Sequence, residues 1–301
     1  NQGVTINQIH NVYEQPDNLK QEWFTRGYHG SMEHNSRGVW MRYLGFWDAN
    51  PTTLIPLSPE DSAPLYVEMM GGSKKIIKKG QKLFDEGKYR HAQEILTKLV
   101  WAEPDNKPAR ALLADTWEQF GYQQENPGLR NSFLAGAFEL RNGIPIGNTA
   151  NSLGPDMIQA MSTELFLNFL GIRMDSRKAE GLEFSINLIT PDNGEMFAIE
   201  MSNATLTNVE GFLNEDPDLT ITIDRSDLEN IMIGEKSFAA SIEEGIAQTE
   251  GDVSLLKQLG ATMVNFELGF EIVPGTSTGP QVDLELNTFE VNDESIQMRG
   301  E

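Results

Sequence analysis

The chain has 301 residues, of which 39% are hydrophobic and 23% charged, with no cysteine and a net charge of −22. That length holds two or three domains with cores of their own, and the composition excludes chain-wide disorder, disulfides, thiolate nucleophiles and cysteine-ligated zinc. Nearly all the excess negative charge falls after residue 145, which predicts a domain boundary near 145–155 and argues against nucleic acid or anionic membrane as partners, since both need basic surfaces.

The polar start Asn1-Gln2-Gly3 has no charged-then-apolar leader pattern and reads as a point inside a longer protein or behind a removed signal peptide. Val4, Ile6 and Ile9 suggest a short helix-and-turn element, broken at Pro16 and followed by a second short amphipathic run from Leu19 to Phe24. From Asn35 to Trp47, Val39, Trp40, Tyr43, Leu44 and Trp47 recur at the three-and-four spacing of a helix face. Asp48-Ala49-Asn50-Pro51 stops that helix, and Pro51, Pro56, Pro59 and Pro64 predict a stiff extended connector.

Residues 65–145 are helical in pattern. One helix is expected to carry Met69, Ile76, Ile77, Leu83 and Phe84 and to end before Gly87; others cover Tyr89 to Ala102, Pro108 to Phe120 and residues 129–142. Gly80, Leu83, Ala92, Leu96, Leu99 and Pro104 fall on the spacing of a tetratricopeptide repeat, where small residues let paired helices approach. A single copy implies an elaborated helical domain and not a solenoid. Gly143 to Pro155 is rich in Gly, Asn and Pro and reads as a linker.

Beyond it, a helix is expected from Met157 to Leu170. Period-two runs at 183–189, 195–201 and 219–223 predict strands, and helices are expected at 226–233, 236–243 and 252–260. Antiparallel strands with helices form an α+β domain. After Pro274-Gly275 a flexible linker leads to an extended tail in which Val282, Leu284 and Leu286 could add an edge strand.

Chemistry concentrates between Trp23 and Arg37, where His29 and His34 lie among Arg26, Arg37 and several aromatic residues. Histidine changes protonation near neutral pH and arginine presents a fixed fork to oxyanions, so the mixture suits catalysis on an anionic substrate. Gly27 and Gly30 flank His29 and point to an unusual backbone or a close approach. His34-Asn35-Ser36 reads as a helix cap, and Phe24, Tyr28, Trp40 and Trp47 could line an apolar pocket for an alkyl chain, with core packing the default for Trp47 and Trp40, one turn from Arg37, the better candidate. His10 and His91 read as structural. No HxH, HxxxH, GxSxG, P-loop or GxGxxG occurs, so the chain lacks a complete catalytic apparatus and a metal-ligand set of its own.

Arg26-Gly27-Tyr28-His29-Gly30, His34-Asn35, Tyr43-Leu44-Gly45, Asp48-Ala49-Asn50-Pro51 and Met69-Met70-Gly71-Gly72, in this order, resemble the linear primary alkylsulfatases of the metallo-β-lactamase superfamily, the dodecyl-sulfate-hydrolysing enzymes. Ala111 to Thr116 and Glu118 to Tyr122 are similar to that family's helical dimerisation domain. Gly234 and Glu250-Gly251-Asp252 are similar to its sterol-carrier-like C-terminal domain. The resemblance implies the end of a catalytic domain and its connector at 1–64, a dimerisation domain at 65–150, a sterol-carrier-like α+β domain at 151–275 and a tail at 276–301. The family's His-x-His-x-Asp-His zinc signature is absent, so its binuclear zinc ligands would lie upstream, in an N-terminal catalytic part of the same protein.

By the same resemblance, His29 would be the catalytic residue, hydrogen-bonding or protonating the ester oxygen of an alkyl sulfate. Tyr28, Arg37 and Trp40 would bind substrate, with Trp40 at or next to a position that is usually tyrosine. The implied assembly is a homodimer through the helical domain, with a periplasmic or secreted bacterial location. Two alternatives remain open at this point: a non-catalytic carrier module for lipid or alkyl chains, and a helical dimerisation scaffold.

Overall fold

In a computed structural model of the chain, residues 3–145, 155–264 and 269–277 are described. They fall into two compact units, one of residues 3–145 with 269–277 and one of 155–264. The architecture is α+β, as the sequence pattern predicts.

The first unit begins with short helices α1 (Ile9–Val12) and α2 (Asp17–Lys20) and a 3-10 turn at Trp23–Thr25. Helix α3 (Met32–Leu44) starts three residues before the predicted Asn35, because Ser31, and not Asn35 or Ser36, is its N-cap: the Ser31 hydroxyl accepts the His34 amide. The predicted extended connector is instead largely helical, with α4 (Pro51–Leu54) and α5 (Pro59–Met69). Pro51 and Pro59 both sit at N1, where φ is preset and the missing N–H has no role in the helix, and Asn50 and Ser58 cap them. The single helix expected from Met69 to Phe84 is two, because Gly71 and Gly72 adopt left-handed φ between α5 and α6 (Ser73–Asp85).

Helices α7 (Tyr89–Ala102), α8 (Lys107–Tyr122) and α9 (Pro127–Asn142) complete the unit, with α6 packed on α7, α7 on α8 and α8 on α9. Their shared core holds Ile76, Leu83, Ala92, Leu96, Leu99, Leu113 and Ala137. The repeat-like spacing has a steric cause here: a Cβ on Gly80 would lie 2.9 Å from a Leu96 methyl. Asn106 and Asn126 cap α8 and α9 by accepting the amides of Ala109 and Leu129.

The second unit opens with α10 (Pro155–Gln159) and α11 (Thr163–Arg173), which divide the helix expected from Met157 to Leu170 because Ser162 starts a new helix by capping Leu165. Strands β1 (Phe184–Thr190), β2 (Glu195–Ser202), β3 (Thr205–Glu210), β4 (Leu219–Thr222) and β5 (Gln248–Gly251) form one sheet in the order β3-β2-β1-β4-β5. The sheet is mixed and not purely antiparallel, since β1 and β4 run parallel. Strands β3 and β5 are additional to the three predicted. Helices α12 (Arg225–Met232), α13 (Phe238–Glu243) and α14 (Ser254–Thr262) match the three expected positions within about two residues.

Phe184, Ile186, Leu188, Phe197, Ile199, Met201, Leu219 and Ile221 build this unit's core. Buried Asn187 exchanges two hydrogen bonds with the backbone of Asn214, so a polar residue in the central strand is satisfied. The Asp192 carboxylate, between β1 and β2, accepts the amides of Arg225 and Ser226 and so caps α12 from outside its own helix. Those bonds, led by the one from Arg225, hold its carboxyl below the usual range.

By its contacts the chain is back in the helical unit at Gly269. The predicted edge strand at 282–286 and most of the 143–155 linker lie outside the described residues. Among the described residues no helix is long and apolar enough to cross a membrane.

Candidate functional site

The candidate segment is a turn-rich stretch anchored at both ends. At its start the Thr25 hydroxyl donates to the carbonyls of Leu19 and Glu22, closing the 3-10 turn onto α2. Arg26 then pairs with Glu125, between α8 and α9, at 2.5 Å, and its guanidinium lies 5.9 Å from the centre of the Tyr28 ring. Neither Gly27 nor Gly30 has a left-handed φ. What they supply is close approach: a Cβ on Gly27 would lie 3.2 Å from the Gly30 carbonyl oxygen, and one on Gly30 would meet the Asn35 amide group.

His29 is exposed, and among the described residues its ring makes no hydrogen bond or ion pair. An imidazole held on a braced turn with both nitrogens uncommitted is available to an external group. His34 is committed instead: its amide and its Nδ1 both meet the Ser31 hydroxyl, which makes it part of the α3 cap.

Arg37 is engaged within the chain. Its Nη2 donates to Glu33 at 3.0 Å one turn earlier on α3, and the other Glu33 oxygen takes His10 Nδ1 at 2.7 Å. Glu33 therefore ties α1 to α3 and orients Arg37. Partial burial would raise the Glu33 pKa, but hydrogen bonds from His10 and Arg37 outweigh that and hold it below the usual range. The stability from this clasp is present above the ordinary glutamate value and is lost as pH falls through the depressed folded value. Glu33→Gln is expected to cost about 1 kcal/mol at pH 7 and less at pH 3, below the ordinary glutamate value. Melting temperatures of both proteins at the two pH values check this, and an equal gap at both would reject it.

The predicted residues do not share one cavity. A cavity of about 600 Å³ lies beside the segment, lined among others by Phe24, Arg26, Glu33, Asn35, Glu125 and Leu129, whereas Tyr28, His29, Arg37 and Trp40 are not in its wall. Trp40 lines a separate groove of about 420 Å³ with Val4, Ile9, Val39, Tyr43 and Leu44. Its indole Nε1 and the Arg37 Nε are both buried and, among the described residues, without an acceptor. The two donors lie one turn apart on α3. Helix α3 buries none of its residues, and Tyr43, Leu44 and Phe46 stand exposed.

Sequence reasoning missed Glu33, His10 and Glu125 as the groups that shape this segment. The Glu33–Arg37 pair was legible from its i, i+4 spacing. The two long-range pairs carry no local signal. Among the described residues, no group of three or more His, Asp or Glu side chains comes together to hold a metal ion.

Comparisons with known proteins cover almost the whole chain. Residues 5–143 match the family model for alkyl sulfatase dimerisation, and residues 151–275 match the model for the alkyl sulfatase C-terminal region. The chain is 36% identical over 273 residues to a linear primary-alkylsulfatase of Pseudomonas sp., covering 91% of this chain and 40% of that protein. An (R)-specific secondary-alkylsulfatase of Pseudomonas sp. is 36% identical over 91% of this chain and 41% of its own length. An alkyl/aryl-sulfatase of Saccharomyces cerevisiae is also 36% identical, over 91% and 42%. The solved structure of a stereoselective inverting sec-alkylsulfatase from Pseudomonas sp. superposes with a TM-score of 0.80 at 36% identity, over 90% of this chain and 42% of that one. The chain thus spans about two fifths of the length of the curated relatives it matches.

Proposed function

We propose that this chain, which belongs to the alkylsulfatase family through its dimerisation and C-terminal domains, is the part of an alkyl sulfate hydrolase that supplies one wall of the sulfate site, the dimer contact and alkyl-chain binding. The observation that carries this is the unbroken match of both family regions, in order, across 91% of the chain. The reaction is addition of water to a primary alkyl sulfate ester, releasing the alcohol and sulfate. The described residues do not fit a metal ion, and we assign the zinc pair and its ligands to residues outside this sequence. Helix α3, with no buried residue, supports a site completed by groups that this sequence does not contain.

Within that site His29 donates a hydrogen bond or a proton to the ester oxygen as the alcohol leaves. Its exposure and uncommitted ring support this role. Trp40 has no hydroxyl, but its buried, unpaired indole N–H is a donor that a sulfate oxygen would satisfy, as is the Arg37 Nε. Tyr28 stands next to His29 as a further wall. Apolar surface in the C-terminal unit, including Leu165 and Ile172 on α11, is the candidate for alkyl-chain contact. Relatives of equal identity are named for primary, secondary and alkyl/aryl substrates, so the preference for primary esters rests on the motif order alone. The homodimer and a periplasmic or secreted location belong to the same reading.

The test is sulfate release from dodecyl sulfate by the complete protein. Turnover is expected in the metal-replete protein, lost on chelation and restored by zinc. A complete protein that binds alkyl chains tightly and hydrolyses neither primary nor secondary alkyl sulfates would instead make the chain a carrier module.

A further inference from the structure

The segment that re-enters the helical unit is held as a ligand is held. Glu139, on α9, is 5% exposed, and its Oε1 accepts three donors from this segment: the Ile272 amide at 2.8 Å, the Val273 amide at 3.0 Å and the Thr276 hydroxyl at 2.7 Å. Arg110, on α8, donates to the Gly275 carbonyl at 2.8 Å and also to the carbonyls of Pro104 and Leu140. Val273, 3% exposed, is a member of the helical unit's core cluster, and Thr276 is fully buried. Charge-assisted bonds from a buried carboxylate to consecutive backbone amides, a guanidinium on a carbonyl and one apolar anchor are the parts of a peptide-recognition site.

Gly275 fits this site in shape. Its φ is +77°, and a Cβ there would lie 2.9 Å from the Pro104 Cβ and 3.3 Å from Arg110 Nη1. Gly269, at the start of the segment, tolerates more: a Cβ there would make only an ordinary 3.7 Å contact with Ile144. That contact places Gly269 beside Ile144, just after the last turn of α9.

We infer that the helical unit contains a binding site for an extended peptide, built from Glu139, Arg110 and the pocket that Val273 fills, with residues 269–277 of the same chain as its ligand. In chain order the C-terminal unit is then an insertion in the helical unit, and the segment that follows it is fastened by this site. The inference is independent of the sulfatase reading.

Amide hydrogen exchange on the 301-residue chain tests it. Ile272 and Val273 are expected to be protected in the native chain and in Gly269→Ala. Protection should fall by at least tenfold in Gly275→Ala, which spoils the ligand, and in Glu139→Ala, which spoils the site. A synthetic peptide of residues 269–277 added in trans should bind the Gly275→Ala chain, whose site is intact, and not the Glu139→Ala chain. Circular dichroism establishes that both variants remain folded, and Glu139→Gln, which keeps an acceptor oxygen, stands in for Glu139→Ala if that chain unfolds, with a smaller loss expected. Unprotected Ile272 and Val273 in the native chain, equal protection in all variants, or failure of the peptide to bind a folded Gly275→Ala chain would each overturn the inference. So would protection that depends on protein concentration, which would mean that the segment comes from a second copy.

Discussion

Replacing His29 with alanine in the complete protein is expected to lower kcat/KM for dodecyl sulfate by about 10²–10⁴-fold, the usual contribution of a positioned proton donor. Folding should be untouched, because His29 is exposed and, among the described residues, makes no hydrogen bond or ion pair. The brace around it explains why one side chain can matter so much. Arg26 fixes the turn to Glu125, Thr25 closes it onto α2, and Ser31 starts α3 immediately afterwards. The backbone that carries His29 is thus held in place before substrate arrives, which favours a positioned catalytic group. His34→Ala is the matched comparison, because His34 serves the cap and should affect stability more than turnover. Steady-state kinetics on both variants decide the point, and a His29→Ala enzyme within threefold of the native one removes His29 from the reaction.

Gly251→Ala is expected to destabilise the C-terminal unit by about 2–5 kcal/mol, combining backbone strain with overpacking. Gly251 ends β5 opposite Leu219, its φ is +106°, and a Cβ there would overlap the Asp218 carbonyl oxygen. That oxygen accepts the Asp252 amide at 2.9 Å, and the Asp252 carboxylate accepts the Ser254 amide at the start of α14. One glycine thus lets an edge strand end and a helix begin within four residues. All five tryptophans lie in the first 147 residues, so tryptophan fluorescence reports the helical unit while calorimetry reports both. The variant should lower the calorimetric transition of the C-terminal unit and leave the fluorescence transition in place. An unchanged calorimetric profile would show that the backbone relaxes around the new methyl group.

Most helices of this protein were legible locally. The spacing of Leu83, Ala92, Leu96 and Leu99 gave both the helices and the face they bury, because a 3.6-residue period is written in the chain itself. The same holds for the alternation in β1, β2 and β4, and for the ordered motifs that assign the chain to its family. Misreadings arose where a residue's effect depends on position within an element. Pro51 and Pro59 start helices and do not forbid them, and Ser31 starts α3 because its hydroxyl reaches the His34 amide.

What only the tertiary structure decided were the pairings over long separations. The parallel register of β1 with β4, the four-residue strand β5, the bond between His10 and Glu33 and the grip of Glu139 on Ile272 and Val273 each join segments far apart in sequence. Through the last of these, Val273 joins the core of the helical unit. Period and propensity report the turn of chain to which a side chain belongs. Its partner is chosen by the packing of the whole unit, where burial of a carboxylate such as Glu139 is tolerable only once distant donors have been brought to meet it.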